Sequence, residues 1–174
     1  AFGCSLEKIL EEKKITFAYG KDLADEVWTD RPSLPSHPVM VLDEAICGKS
    51  AGEKLEDVRK AMEKEETDAF LLSKLDDLMW LFNIRGGDVE CNPVALSYAY
   101  ITMKECFFFI QDTEITAELR AHAAKYGITL KDYDNIVPFL QSRTEREKVL
   151  YDGHNTSYAL YCTLREKGEC KDGK

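Results

Sequence analysis

Short apolar runs alternate with amphipathic stretches of helical spacing between residues 39 and 160, and this alternation constrains the fold more than any other feature of the chain. Ser50 and Glu53 form a capping box ahead of one helical stretch, and residues 75–82 form another. The intervening runs have the length and composition of strands: VMVLD, DAFLLS, ITLKDY and KVLYD. Strands that alternate with helices predict an α/β fold whose sheet is covered on both faces.

Two further runs, VALSYAYI and ECFFFI, follow each other with only a short connection at residues 102–104. A connection of this length can join antiparallel neighbours, whereas a parallel crossover needs a dozen residues or more. The pair is therefore predicted to form a hairpin, which makes the sheet mixed rather than wholly parallel.

The chain is predicted to divide into four segments. Residues 1–28 have the pattern of a helix, a strand in ITFAY and a short second helix. Residues 29–38, TDRPSLPSHP, hold three of the five prolines and form a semi-rigid connector. Residues 39–162 form the α/β domain, and the polar residues 163–174 are predicted to be a tail or linker.

Charge and cysteine content restrict the class of protein. The chain has 23 Lys and Arg against 32 Asp and Glu, a net charge of −9, so nucleic acid is not an expected partner. No apolar run approaches the roughly 20 residues that a membrane span needs, so no membrane association is expected. Six cysteines without a C-x-x-C pair favour a reducing, cytoplasmic setting.

No catalytic or metal centre is predicted from the residues themselves. His37, His122 and His154 are far apart in the sequence, and neither H-E-x-x-H nor H-x-H occurs. The chain also has no G-x-S-x-G nucleophile turn and no phosphate-binding glycine loop. A cysteine hydrolase stays open only as a third alternative, since nothing selects a cysteine to act with a histidine.

The segment LFNIRGGDVECNP, residues 81–93, concentrates charged and turn-forming residues at the end of a predicted helix. In a structural interpretation, Arg85 bonds the terminal carbonyls of the helix and pairs with Asp88, while two glycines permit positive φ. In a functional interpretation, Arg85 and Asp88 face a cleft and hold a charged ligand or a partner domain. Asn92, followed by proline, directs the chain into the next strand.

The connector is the second concentrated segment. Arg31 stands between Asp30 and Pro32, so it is expected either to pair locally or to dock the connector onto the domain. Trp28 and Trp80 are predicted to be core or interface anchors.

Three blocks, WTDRPSLP (28–35), EKLEDVR (53–59) and SKLDDLMWLFNIRGGDVECNPV (73–94), resemble the three-domain Xaa-Pro aminopeptidases of the creatinase/prolidase group. The blocks match the middle, non-catalytic domain of that family, and residues 1–28 resemble the end of a similar preceding domain. The resemblance implies a three-layer α/β/α fold with a mixed sheet of the creatinase N-terminal type. The matching positions in this chain are Trp28, Asp30, Arg31, Pro32, Arg85, Gly86, Asp88, Asn92 and Pro93.

The resemblance also implies a function. The family removes the N-terminal residue from peptides whose second residue is proline, using two divalent metal ions, commonly manganese, in a following pita-bread catalytic domain. No metal ligand or catalytic residue of that domain is expected in this chain. The expected partners are the catalytic domain, a second copy of the full-length enzyme and the peptide substrate, with Trp28, Arg31, Arg85, Asp88 and Asn92 near the entrance or between domains. The alternative is an inactive binding module of the same family.

Overall fold

The computed structural model describes residues 2–18, 21–143 and 147–173, and the side chains of residues 2, 4 and 5 lie outside that description. The described helices are α1 Phe2–Glu12, α2 Leu23–Val27, α3 Glu44–Cys47, α4 Ala51–Lys64, α5 Leu75–Phe82, α6 Ala117–Lys125, α7 Ile136–Ser142 and α8 Tyr158–Lys167. The described strands are β1 Met40–Val41, β2 Ala69–Leu72, β3 Ile84–Arg85, β4 Ser97–Thr102, β5 Cys106–Ile110, β6 Ile128–Asp132, β7 Lys148–Tyr151 and β8 Glu169–Asp172.

Six of these strands form one mixed sheet in the order β6-β5-β4-β2-β7-β8. The hairpin β4–β5 is antiparallel, as predicted, and β2 also pairs antiparallel with β4. The pairs β5–β6, β2–β7 and β7–β8 are parallel. The predicted mixed sheet is therefore confirmed, and β1 and β3 form a separate antiparallel pair beside it.

Side chains along each central strand alternate between two cores, which is the direct consequence of the two-residue period of a strand. In β5, Phe108 belongs to a cluster with residues of α4, α5 and α6, whereas Phe109 belongs to a cluster with residues of α7 and α8. Ile101 and Tyr100 divide in the same way in β4. The fold consequently has three layers, α/β/α.

Local signals place the helices of these outer layers. The predicted capping box is present at α4: the Ser50 hydroxyl accepts from the Glu53 N–H, and the Glu53 carboxylate accepts from the Ser50 N–H. Thr116 caps α6 through the N–H of Leu119. None of the described helices is both long enough and apolar enough to cross a bilayer.

The prediction of a polar tail at residues 163–174 is wrong for the part that the structure describes. Residues up to Lys167 complete α8, with Leu164 buried in the core, and Glu169–Asp172 form the edge strand β8. An edge strand pairs on one side only, so it tolerates polar residues that a central strand would not. Lys171 fastens this edge by donating to the carbonyl of Glu65 at 2.8 Å.

The N-terminal segment has less regular structure than predicted. Residues 15–18 form no strand, Ile15 is half exposed, and the last residue of ITFAY lies outside the described residues. Helix α1 packs against α8, where Arg165 pairs with Glu7 at 3.4 Å. That residues 1–28 end a preceding domain stays a prediction.

Candidate functional site

The segment singled out by the sequence forms a double-glycine loop, defined here as residues 84–96. Helix α5 ends at Asn83, which takes the left-handed conformation with φ of 54° and caps the helix. The loop then folds back on itself. The N–H of Gly86 donates to the carbonyl of Pro93 at 3.1 Å, and the N–H of Asp88 donates to the carbonyl of Val94 at 3.0 Å. A turn at residues 89–92 closes the loop.

The glycine pair serves close packing rather than positive φ, so that part of the prediction is wrong. Both left-handed glycines in the described residues, Gly48 and Gly127, lie elsewhere. A Cβ on Gly86 would stand 2.5 Å from the backbone nitrogen of Ala95, inside any tolerable contact. Gly86 is thus required by the close approach of the backbone of Ala95.

Asp88 is the internal anchor of the loop. Its side chain is completely buried, and its Oδ1 accepts from the backbone N–H of His37 at 3.0 Å and from His37 Nδ1 at 3.2 Å. Its Oδ2 accepts from the N–H of Leu96 at 2.8 Å. The predicted pairing of Arg85 with Asp88 is not formed, because His37 and Leu96 supply the donors instead.

Arg85 bonds the end of α5, as the structural interpretation predicted. Its Nη1 donates to the carbonyl of Met79 at 3.3 Å and to that of Ile84 at 2.8 Å. The side chain is half-buried and in the register position opposite Met40 of β1. Arg85 therefore braces the helix end against the start of the loop.

Asn92 ties the tip of the loop to the first turn of α5. Its Nδ2 donates to Asp76 Oδ1 at 3.3 Å, and its N–H donates to the carbonyl of Val89 at 3.2 Å. Arg85, Asp88 and Asn92 are thus brought together in one loop, each bonded within or beside it. The loop directs Val89, Glu90 and Cys91 toward solvent.

Arg31 and Trp28 form a separate, local group. Arg31 Nη1 bonds Asp22 Oδ2 and Asp25 Oδ1, each at 2.6 Å, and its guanidinium lies 5.8 Å from the centre of the Trp28 ring. The hydrogen bond from Arg31 lowers the pKa of Asp22. Of the two expectations for Arg31, local pairing is confirmed: it holds α2 to the start of the connector.

Both tryptophans are exposed, Trp28 by 49% and Trp80 by 54%, so neither is a core residue. Their role as interface anchors stays a prediction.

Glu114, which sequence reasoning missed, lies beside the loop. It is 0% exposed, and its Oε1 accepts from Gln111 Nε2 at 3.0 Å. Its Oε2 is buried and has no hydrogen bond within the described part of the chain. Burial, and then the neighbouring Asp88 carboxylate, raise the pKa of Glu114 to about 8. No sequence signal distinguishes this glutamate, because two of its neighbours, Val39 and Asp88, are distant in the sequence.

A second missed group surrounds the C-terminus of α5. Lys54 is buried and its Nζ donates to the carbonyl of Trp80 at 2.7 Å and to Asn83 Oδ1 at 2.6 Å. His122 Nε2 donates to the carbonyl of Phe82 at 2.8 Å. Burial lowers the pKa of both Lys54 and His122. Three basic side chains, with Arg85 the third, therefore converge on the carbonyl end of one helix, where its dipole favours them.

A solvent-open hollow of about 620 Å³ lies at the start of β7 and the end of α8, lined by residues of both signs that include Asp68, Lys148, Arg165 and Glu169. Within the ranges that the structure describes, no group of three or more His, Cys, Asp or Glu side chains is arranged to hold a metal ion.

Comparison with known proteins confirms the resemblance carried by the three sequence blocks. A family model described as the creatinase/prolidase N-terminal domain matches residues 30–174. A Xaa-Pro aminopeptidase of Caenorhabditis elegans is 32% identical over 157 residues, which are 87% of this chain and 26% of that protein. A probable Xaa-Pro aminopeptidase P of Sordaria macrospora is 40% identical over 120 residues, 68% of this chain and 20% of that protein.

One solved structure is similar over almost the whole chain. The crystal structure of the Caenorhabditis elegans X-prolyl aminopeptidase, described as a cytosolic enzyme with a di-nuclear active site, superposes with a TM-score of 0.89 at 30% identity. The match covers 98% of this chain and 29% of that one. The chain thus spans about a fifth to a quarter of the length of the two curated relatives.

Proposed function

Because the chain belongs to the creatinase/prolidase N-terminal domain family, we propose that it is a non-catalytic domain of a metal-dependent Xaa-Pro aminopeptidase. Such an enzyme releases the N-terminal residue from peptides with proline in the second position. The observation that carries the proposal is the superposition of nearly the whole chain on less than a third of an X-prolyl aminopeptidase. The domain would act in the cytoplasm, as the nematode enzyme is described to do.

The catalytic metals belong, in this proposal, to the remainder of the parent enzyme. The nematode relative is described as having a di-nuclear active site, and the described residues of this chain present no comparable ligand group. We propose two divalent ions, with manganese as the expected metal, in a following pita-bread domain. This chain would supply no ligand to them.

The domain's own work is to shape the entrance to the active site. The double-glycine loop suits this role because two of its charged residues form internal bonds: Asp88 with His37 and Leu96, and Arg85 with the end of α5. A loop braced in this way holds its tip, Val89 to Cys91, in a fixed position. We propose that this tip faces the catalytic domain and restricts access to peptide N-termini.

The exposed tryptophans extend the proposal to assembly. Trp28 carries the guanidinium of Arg31 above its ring, and Trp80 carries the ammonium of Lys54 at 4.4 Å. Rings held by a cation lose little further freedom on binding, which suits an interface anchor. We propose that they contribute to contacts with the catalytic domain or within a homodimer of the full-length enzyme.

The first experiment compares the activity of this chain with that of the full-length enzyme. The 174-residue chain and the full-length gene product are each assayed with manganese and a peptide that has proline in its second position. We expect turnover by the full-length protein, loss of that turnover on chelation and none by the 174-residue chain. Turnover by a clean preparation of the chain would overturn the proposal, and an inactive full-length protein would favour the binding-module alternative.

The second experiment tests the loop in the full-length enzyme. Arg85→Ala should change kcat or KM, because the loop tip would lose its brace at the end of α5. Arg120→Ala, which removes an exposed arginine from α6, is the matched control and should leave both constants unchanged. Unchanged kinetics for Arg85→Ala, together with lowered stability, would restrict Arg85 to a structural role.

A further inference from the structure

The end of the connector and the residue that follows it, Val39, are fastened to the domain by hydrogen bonds beside two buried carboxyl groups. We define the connector staple as residues 35–39 together with their partners: Asp88, Gln111 and the 3-10 helix Asp112–Glu114. Five contacts form it. The Pro35 carbonyl accepts from Gln111 Nε2 (2.7 Å), and the hydroxyls of Ser36 and Thr113 bond each other. The backbone N–H and Nδ1 of His37 donate to Asp88 Oδ1 (3.0 and 3.2 Å), and the Val39 N–H donates to the Glu114 carbonyl (3.1 Å).

Two carboxyl groups lie buried at the centre of the staple. The Asp88 side chain is fully buried and accepts from N–H groups of His37 and Leu96. Glu114 is fully buried as well, with a single bond to Gln111 at its Oε1. Two adjacent carboxylates away from water cannot both ionise without a large penalty. Since Asp88 is surrounded by donors, the proton of the pair resides on Glu114.

We propose that Glu114 is a protonation-dependent latch for the connector. With its proton, Glu114 is a neutral group that the packed staple accommodates, and residues 35–39 stay docked against Gln111, Glu114 and Asp88. When the proton leaves, two negative charges lie side by side under the connector. Undocking of residues 35–39 lets water reach both carboxylates and relieves that repulsion.

The pH range of the latch follows from the neighbouring groups. Glu114 releases its proton near pH 8 when docked and near its ordinary 4.5 when exposed to water, so docking weakens as the pH rises through this window. His37 also faces Asp88, with its side chain 60% exposed, so a His37 variant serves as a control for the latch. Tyr133 is a further titratable neighbour of Glu114, and burial and then the hydrogen bond with Tyr98 raise its pKa above the working range.

Hydrogen exchange of the backbone amides of His37 and Val39, which donate to Asp88 and to the Glu114 carbonyl, measures docking directly. After correction for the intrinsic pH dependence of exchange, the opening equilibrium of the wild-type connector should rise by up to about tenfold per pH unit between pH 5 and pH 8. Glu114→Gln, which mimics the protonated form, should give a flat profile. Glu118→Gln removes an exposed carboxylate from α6 and should behave as the wild type. His37→Gln keeps the backbone N–H and should retain the step, because the step is assigned to Glu114.

Three results would overturn the latch. Identical pH profiles for the wild type and Glu114→Gln would remove Glu114 from the mechanism. Loss of the step in His37→Gln but not in Glu114→Gln would assign it to the imidazole. The third measurement does not depend on folding of a variant: carbon NMR of the Glu114 carboxyl in the wild-type chain should show a midpoint near 8, and a midpoint below about 5 would exclude the proposal.

Discussion

The ammonium of Lys54 donates to Asn83 Oδ1 at 2.6 Å in the interior of the protein, where Lys54 is 2% exposed and Asn83 is 1% exposed. The same ammonium bonds the carbonyl of Trp80, and Asn83 Nδ2 donates in turn to the carbonyl of Lys49 at 2.9 Å. No carboxylate pairs with Lys54 among the residues that the structure describes. The charge is held instead by the carbonyl end of α5 and by the residue that caps it. This bond joins α4 to the residue that caps α5 and immediately precedes the double-glycine loop.

Lys54→Met should destabilise the domain by about 2–4 kcal/mol. The substitution keeps the apolar stem but leaves the carbonyl of Trp80 and the amide oxygen of Asn83 without their buried donor. Lys60→Met, an exposed position on the same helix, is the control and should change stability by less than about 0.5 kcal/mol. Urea denaturation of the two variants measures the difference, and equal midpoints would show that the buried bond contributes nothing net.

Asn83 serves both through its backbone conformation and through its side chain, and two substitutions separate these contributions. Asn83→Gly keeps the left-handed φ of 54° available but loses the bonds to Lys54 and Lys49. Asn83→Ala loses the same bonds and adds roughly 1 kcal/mol of backbone strain. We therefore expect both to be destabilised, with alanine the worse of the two by calorimetry. Glycine equal to wild type would mean that the conformation alone matters.

Sequence pattern predicted the parts of the fold whose determinants are local. The β4–β5 hairpin followed from two apolar runs and a short connection, and the start of α4 followed from Ser50 and Glu53. Strand β8 did not follow, because its polar residues are acceptable only at the edge of the sheet, and its position at that edge depends on β7 and α8. The prediction of a strand at residues 15–18 was wrong for the opposite reason. These residues have the composition of a strand but pair with no strand among the described residues.

The candidate site shows the same division. The contact of Arg85 with the end of α5 lies within six residues along the chain, and the sequence predicted it. The partner of Asp88 is His37, 51 residues away, so a local argument assigned Asp88 to Arg85 instead. Glu114 could not be found at all, since two of its neighbours, Val39 and Asp88, come from distant segments of the chain.

The glycine pair offers a test of the loop with its own internal control. A Cβ at Gly86 would lie 2.5 Å from the nitrogen of Ala95 and 2.7 Å from its Cα, and backbone atoms cannot move aside. A Cβ at Gly87 would meet His37 Cβ at 3.4 Å, an ordinary contact. Gly86→Ala should therefore cost at least about 2 kcal/mol of stability, while Gly87→Ala should stay within about 0.5 kcal/mol. Chemical denaturation of both variants decides it, and tolerance at Gly86 would contradict the close approach of residue 95.

The pH dependence of the free energy of unfolding should also reflect the ionisation of Glu114. An acid whose pKa is raised by folding binds its proton more tightly in the folded state, so its contribution is greatest below the unfolded value of 4.5 and is lost as the pH rises to about 8. The free energy of unfolding of the wild type should thus fall relative to that of Glu114→Gln by up to about 1.4 kcal/mol per pH unit across this window. Parallel urea titrations at pH 5, 7 and 9 measure the difference between the two proteins. A constant difference would mean that Glu114 has the same affinity for its proton in the folded and unfolded chain. Water would then reach its carboxyl group in the folded protein.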